Sequence, residues 1–299
     1  MELSWLMKLR IAIVAAIGVA LVGYAAWPWG NPPDPYGSIL VKAIGTSSIV
    51  TLFIMAFLAG LIAYFAAWPY GKEIGVLAVP FGLAVWAIRA GTVGGLMQFN
   101  PTIEQRQVIF STLRWEPLFW LVVVVVGFGG VALGQKIRTS AKRQESSEKK
   151  TLKSSDSFNI ILAFLLSCII AYIGIRVLAQ DIRIYDSRAS VVTAQPAVGQ
   201  VAFAVFISFG VAAFVIKKFL NVGYIMPIVA GAALTALSIT IYIKQESFEY
   251  LVEQWPAIFF SNTVIAVLPV QMIAFGALGS VAGYWMAFRY DYWRKHEMK

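Results

Sequence analysis

Histidine and cysteine each occur once in 299 residues, as His296 and Cys168, and charged residues make up only 13% of the chain. A single histidine excludes an HExxH zinc site and histidine-dependent acyl transfer, and a single cysteine excludes a disulfide framework. Cys168 lies within an apolar run, where a thiol is an inert packing residue. No Asp or Glu lies deep in such a run, so the buried carboxylate needed by proton-coupled pumps and intramembrane aspartyl proteases is missing. Asp34, Asp181 and Asp186 offer carboxylates for a lipid-linked glycosyl transfer, but no paired acidic motif accompanies them. The glycine clusters lack the strand and Lys-Ser/Thr context of a phosphate loop. No catalytic residue, metal or cofactor is therefore expected, and the chain is read as not an enzyme.

What fills the chain is apolar sequence: 59% hydrophobic residues and a mean hydropathy of +0.74. About 20 mostly apolar residues cross the roughly 30 Å of hydrocarbon in a bilayer. By that measure the runs predict eight transmembrane helices, at about 9–26, 46–68, 74–97, 117–135, 158–178, 198–216, 221–243 and 258–288. The expected fold class is an all-α polytopic membrane protein. Tryptophans mark the predicted span ends, with Trp27, Trp29, Trp115 and Trp255 at one level and Trp5, Trp68, Trp285 and Trp293 at the other. Only Trp86 falls mid-span.

The net charge of +9 takes its meaning from where the charges sit. With an inside N-terminus, sixteen of the 24 lysines and arginines lie on the inner side, seven lie outside and Arg89 falls within a span. This bias predicts a bacterial-type inner membrane with both termini cytoplasmic. The partner of the basic face is then anionic lipid headgroups at the cytoplasmic leaflet, and nucleic-acid binding is not expected.

The polar segment 136–156 divides the chain into halves of four spans each. Gly75 to Pro80 opens the third span much as Gly223 to Pro227 opens the seventh, and Trp115-Glu116-Pro117 precedes span four as Trp255-Pro256 precedes span eight. These matches predict two tandem four-helix repeats of the same orientation, 1–135 and 157–299, joined by a basic cytoplasmic linker and related by rotation about the membrane normal. The segments before spans four and eight read as interfacial helices. In 246–256, Phe248, Leu251, Val252 and Trp255 recur at helical spacing opposite Glu246, Glu249 and Glu253, and Thr102 to Gln105 has the form of a capping box.

Arg89 is the one ionisable residue expected well inside a span, and it has two readings. It reaches the outer headgroups or pairs with Glu116, or it forms an anion or lipid-headgroup site with Gln98 and the small-residue surface of Gly91, Gly94 and Gly95. Gly91, Gly95, Gly130, Gly134, Gly279 and Gly283 are expected at helix-packing surfaces. Pro269 is expected to kink the last span, with Ser261, Asn262 and Gln271 either lining a polar path or binding a neighbouring helix.

Two functions compete at this stage. The first is a non-catalytic integral membrane subunit that scaffolds or anchors a larger assembly or a homo-oligomer, through the glycine faces of spans four and eight, the amphipathic segments and the basic linker. The alternative is a transporter or channel for a small or lipid-like anionic solute, with its path between the repeats.

Overall fold

The structure, a computed structural model, describes residues 5–30, 40–140 and 154–296. Its long apolar runs are helical because a backbone in hydrocarbon has no water to satisfy its N–H and C=O groups and must pair them within the segment. The first part comprises α1 (Trp5–Gly18), which continues as a π-helical stretch over Val19–Ala25, then α2 (Trp27–Gly30), α3 (Thr46–Ala66), α4 (Gly71–Ile74), α5 (Ala78–Arg89), α6 (Val93–Gln98), α7 (Ile103–Leu113) and α8 (Glu116–Ser140). The second comprises α9 (Ser154–Leu178), β1 (Arg183–Asp186), β2 (Ser190–Ala194), α10 (Val198–Leu220), α11 (Ile225–Ile243), α12 (Ser247–Gln254), β3 (Phe259–Phe260) and α13 (Pro269–His296).

Eight segments are long and apolar enough to cross a membrane, and the chain is an all-α polytopic integral membrane protein. An even number of crossings places Trp5 and His296 on one face, called here the termini face, and the β1–β2 strands on the other, the hairpin face. Of the expected linker, α8 runs on to Ser140 and α9 starts at Ser154, while 141–153 lie outside the described residues, as does Asp34.

Two expected spans are corrected. The third stops at Arg89 instead of 97, because Gly91 takes φ 78°, a left-handed backbone open to glycine, and Thr92 Oγ1 then accepts the Gly95 N–H to start α6 afresh. The last span starts at Pro269 instead of 258. Residues 259–260 pair with β2, 263–266 form a 3₁₀ turn, and Pro269 occupies the first position of α13, where a missing backbone donor costs nothing. The proline therefore opens the helix and does not kink it.

The helices pack through small residues. Gly130 lies against the Phe57 carbonyl of α3, and the Gly127 carbonyl lies against Gly60, so α3 and α8 meet backbone to backbone. In the second half, Gly279 and Gly283 meet the Phe206 and Gly210 carbonyls of α10 in the same manner. Between the halves, α5 touches α13, α8 touches α11, and α8 touches α13. Burial follows: 78% of the α13 span is enclosed, against 22% for α1 and for α9, which face the surroundings along most of their length.

The helices before spans four and eight are present, and the Thr102–Gln105 capping box is formed in both directions. Their apolar faces turn to protein instead of to a leaflet. Phe248 of α12 packs edge-on to Phe110 of α7 and Tyr242 of α11, with ring centroids 6.4 and 5.2 Å away.

Candidate functional site

Arg89 is the last residue of α5, is exposed, and stacks on aromatic rings of α2 and the π-helical stretch: its guanidinium carbon lies 4.0 Å from the Trp27 ring centroid and 5.9 Å from that of Tyr24. Trp27 is itself held edge-on by Trp86, centroids 5.2 Å apart, and the Trp86 indole N–H donates to the Val22 carbonyl at 2.7 Å within the π-helical stretch. Glu116 is 4% exposed and accepts the Val41 N–H at 2.7 Å. Gln98 is exposed at the end of α6. Among the described residues no ion pair or hydrogen bond joins Arg89, Gln98 and Glu116, so the structure does not assemble the expected pocket, and the Arg89–Glu116 pairing is corrected to a cation–π contact.

The glycines separate by role. Gly91 supplies the break after α5, and Gly95 donates its N–H to the Thr92 cap. Gly130 and Gly134 face α3 of the same chain, at the Phe57 carbonyl and the Tyr64 ring, and Gly279 and Gly283 face α10. Surfaces expected to meet other subunits are thus consumed inside this one.

Two glutamines bind the halves together where helix is interrupted. Gln271 of α13, 1% exposed, donates from Nε2 to the Ala87 and Gly91 carbonyls at 3.2 and 3.3 Å and accepts the Leu268 N–H at 3.1 Å. Gln195 accepts the Gly94 N–H at 2.9 Å and donates to the Ala266 carbonyl at 3.0 Å. Of the two readings of Gln271, the geometry is that of binding a neighbouring helix.

The hairpin face carries a concave feature that no sequence motif marks. A cleft of about 230 Å³ opens between the end of α9, the β1–β2 hairpin and residues 261–263, and it adjoins a shallower recess of about 570 Å³ that shares Arg176, Val191 and Ser261 with it. Arg176 and Arg183 line the first, and Arg176 and Arg188 the second. The Arg176 guanidinium and the Asn262 amide both donate to the Tyr172 hydroxyl, at 3.3 and 3.1 Å.

Asp186 braces the hairpin beside this cleft. One carboxylate oxygen accepts the backbone N–H groups of Arg188 and Ala189 at 2.8 and 2.7 Å, and the other accepts the Tyr250 hydroxyl at 3.0 Å and the Trp255 indole at 3.3 Å. These donors, the Ala189 N–H foremost, hold its carboxyl below the usual aspartate range, and the bond that Tyr250 donates to the carboxylate raises the Tyr250 hydroxyl. A usable signal lay in the sequence: three of the seven cations assigned to this side fall between residues 176 and 188.

Comparison with known protein families, with characterised proteins and with solved structures finds no match for this chain.

Proposed function

We propose that the chain is a non-catalytic integral membrane subunit that scaffolds or anchors a larger assembly, or a homo-oligomer. The observation that carries this reading is the seam between the halves. The helices that meet there, α5 and α13, bury chiefly apolar residues, among them Leu83 and Ala87 of α5 and Met272, Ile273 and Ala277 of α13. The buried polar side chains there and behind it bond to backbone carbonyls: Gln271 to Ala87, Ser280 to Gly276, Thr235 to Gly231 and Ser208 to Ala204. Among the described residues the buried charged side chains are Arg106 and Glu116, on α7 and at the start of α8. Such a seam supports a packed joint better than a route for solute.

Matching carbonyl-on-glycine contacts of α3 with α8 and of α10 with α13 support tandem duplication of a four-helix unit. The second reading, a transporter for a small or lipid-like anion, draws on the interrupted backbone after α5 and before α13, since irregular segments at a repeat interface mark many transport sites.

Purification of the full chain in mild detergent is expected to bring down stoichiometric partner chains or a defined homo-oligomer. A monodisperse monomer that carries an anionic solute across reconstituted vesicles would replace the scaffold with the transporter.

The orientation proposed with this function places the termini face in the cytoplasm of a bacterial-type inner membrane, supported by the surplus of lysine and arginine there. In whole cells Ser187→Cys should react with a membrane-impermeant maleimide while Ser147→Cys is protected; the opposite pattern reverses the assignment.

A further inference from the structure

The geometry points to the arginine cleft beside the β1–β2 hairpin as a binding site for a phosphate-class anion. This site stands apart from the scaffold reading and from the headgroup partner expected at the termini face. Three arginines line one continuous depression, since the cleft and its neighbouring recess share Arg176, and the guanidiniums of Arg183 and Arg188 lie 5.6 and 5.4 Å from the Tyr185 and Tyr250 ring centroids. None of the three forms an ion pair among the described residues, where the single side-chain ion pair is Arg294 with Asp291 at 4.0 Å. Asp186 of the hairpin spends its carboxylate oxygens on two backbone donors, Tyr250 and Trp255, and so forms no ion pair with the arginines. Glu246 borders only the shallower recess.

Arginine presents a planar fork of donors that fits phosphate oxygens two at a time, and its charge persists at every physiological pH. The fork of Arg176 is steadied by Tyr172, which Asn262 holds from the opposite wall. A volume of about 230 Å³ lies below the usual range for drug-sized ligands and suits a compact headgroup.

The surroundings favour a lipid as the source of the phosphate. Arg176 stands two residues before the end of α9, at the level where a crossing helix meets headgroups. The same cleft is lined by Ile173 and Val177, 55% and 66% exposed, and the exposed row continues along α9 through Ile169 and Leu165. An acyl chain has an apolar track there, directly beneath the charged pocket.

The test uses the full chain in detergent, with phosphatidylglycerol, phosphatidylcholine and inorganic phosphate as separate probes, and counts retained lipid by native mass spectrometry. Wild-type protein should retain phosphatidylglycerol in preference to phosphatidylcholine. Each of Arg176→Gln, Arg183→Gln and Arg188→Gln should weaken retention by about tenfold, and the triple variant by more. Lys42→Gln, a cation removed from the same face outside the cleft, should change nothing. Equal competition by inorganic phosphate at matched concentration would keep the anion site and assign its phosphate to a soluble source. Retention unchanged in the single variants, or lost as much in Lys42→Gln, would overturn the proposal. All variants are compared at matched unfolding midpoints, and since the three arginines are exposed, the single substitutions leave the packed interior intact.

Discussion

Gly130→Leu is expected to lower the unfolding midpoint in detergent by roughly 10 °C or to abolish recovery of folded protein, while Gly129→Leu, one residue away, leaves it unchanged or slightly raised. A side chain at 130 would meet the Phe57 carbonyl and, at 2.9 Å, the Leu61 nitrogen. Both are backbone atoms of α3 with no rotamer to yield, so the helices must separate along their whole contact. At 129, an exposed position, a Cβ meets nothing within 4 Å. There leucine replaces a residue that costs a helix up to about 1 kcal/mol. Thermal unfolding followed by tryptophan fluorescence reads both variants, and equal midpoints for the pair would refute the backbone contact between α3 and α8.

Gln271→Met should cost roughly 3–5 kcal/mol despite its near-equal volume, because it withdraws partners from two buried groups and one part-buried group at once. The Ala87 carbonyl is among the last of α5 and has no successor in its own helix to bond, and the Gly91 carbonyl and Leu268 N–H belong to interrupted backbone. Hydrogen exchange should quicken around residues 90–95 and 263–268 together, since one side chain ties both stretches. Exchange that quickens in one stretch alone, or a stability unchanged within about 1 kcal/mol, would show that the seam holds by apolar packing and not through the glutamine.

The number of crossings was legible in the sequence because a bilayer imposes a length on apolar runs, and length survives errors in local conformation. What happens inside a run did not show. Residues 90–97 carry no charge and stay apolar on average after Arg89, yet the positive φ at Gly91 ends the helix. Residues 258–268 are more apolar than α13, and apolarity alone does not separate a strand or a 3₁₀ turn from a helix. Local chemistry carried the missing information: Thr92 three residues before Gly95 is an N-cap pattern, and Pro269 fits the start of a helix better than its middle.

The site was harder to read than the spans. Periodicity gave α12 an apolar face but not its cover, which is Phe110 from the first half and Tyr242 from the end of α11. Arg89 drew attention because it is charged, whereas the contacts that join the halves come from Gln195 and Gln271, whose sequence neighbours do not reveal that partners wait more than 100 positions away. The arginine cleft depends on a hairpin folding back toward α9, a tertiary event that no local pattern encodes.

The burial of α13 also sets an order of events during synthesis. This most enclosed of the crossing helices is completed about 76 residues after α10, the helix it packs against most closely. At about 5–20 residues per second, α10 waits roughly 4–15 s in the membrane with its carbonyl-lined groove unfilled. Throughout that interval the Ala87 carbonyl also lacks Gln271. Seven of the eight crossing helices thus precede the one that closes the bundle, and the nascent chain presents open, sticky surfaces to the insertion machinery until α13 emerges.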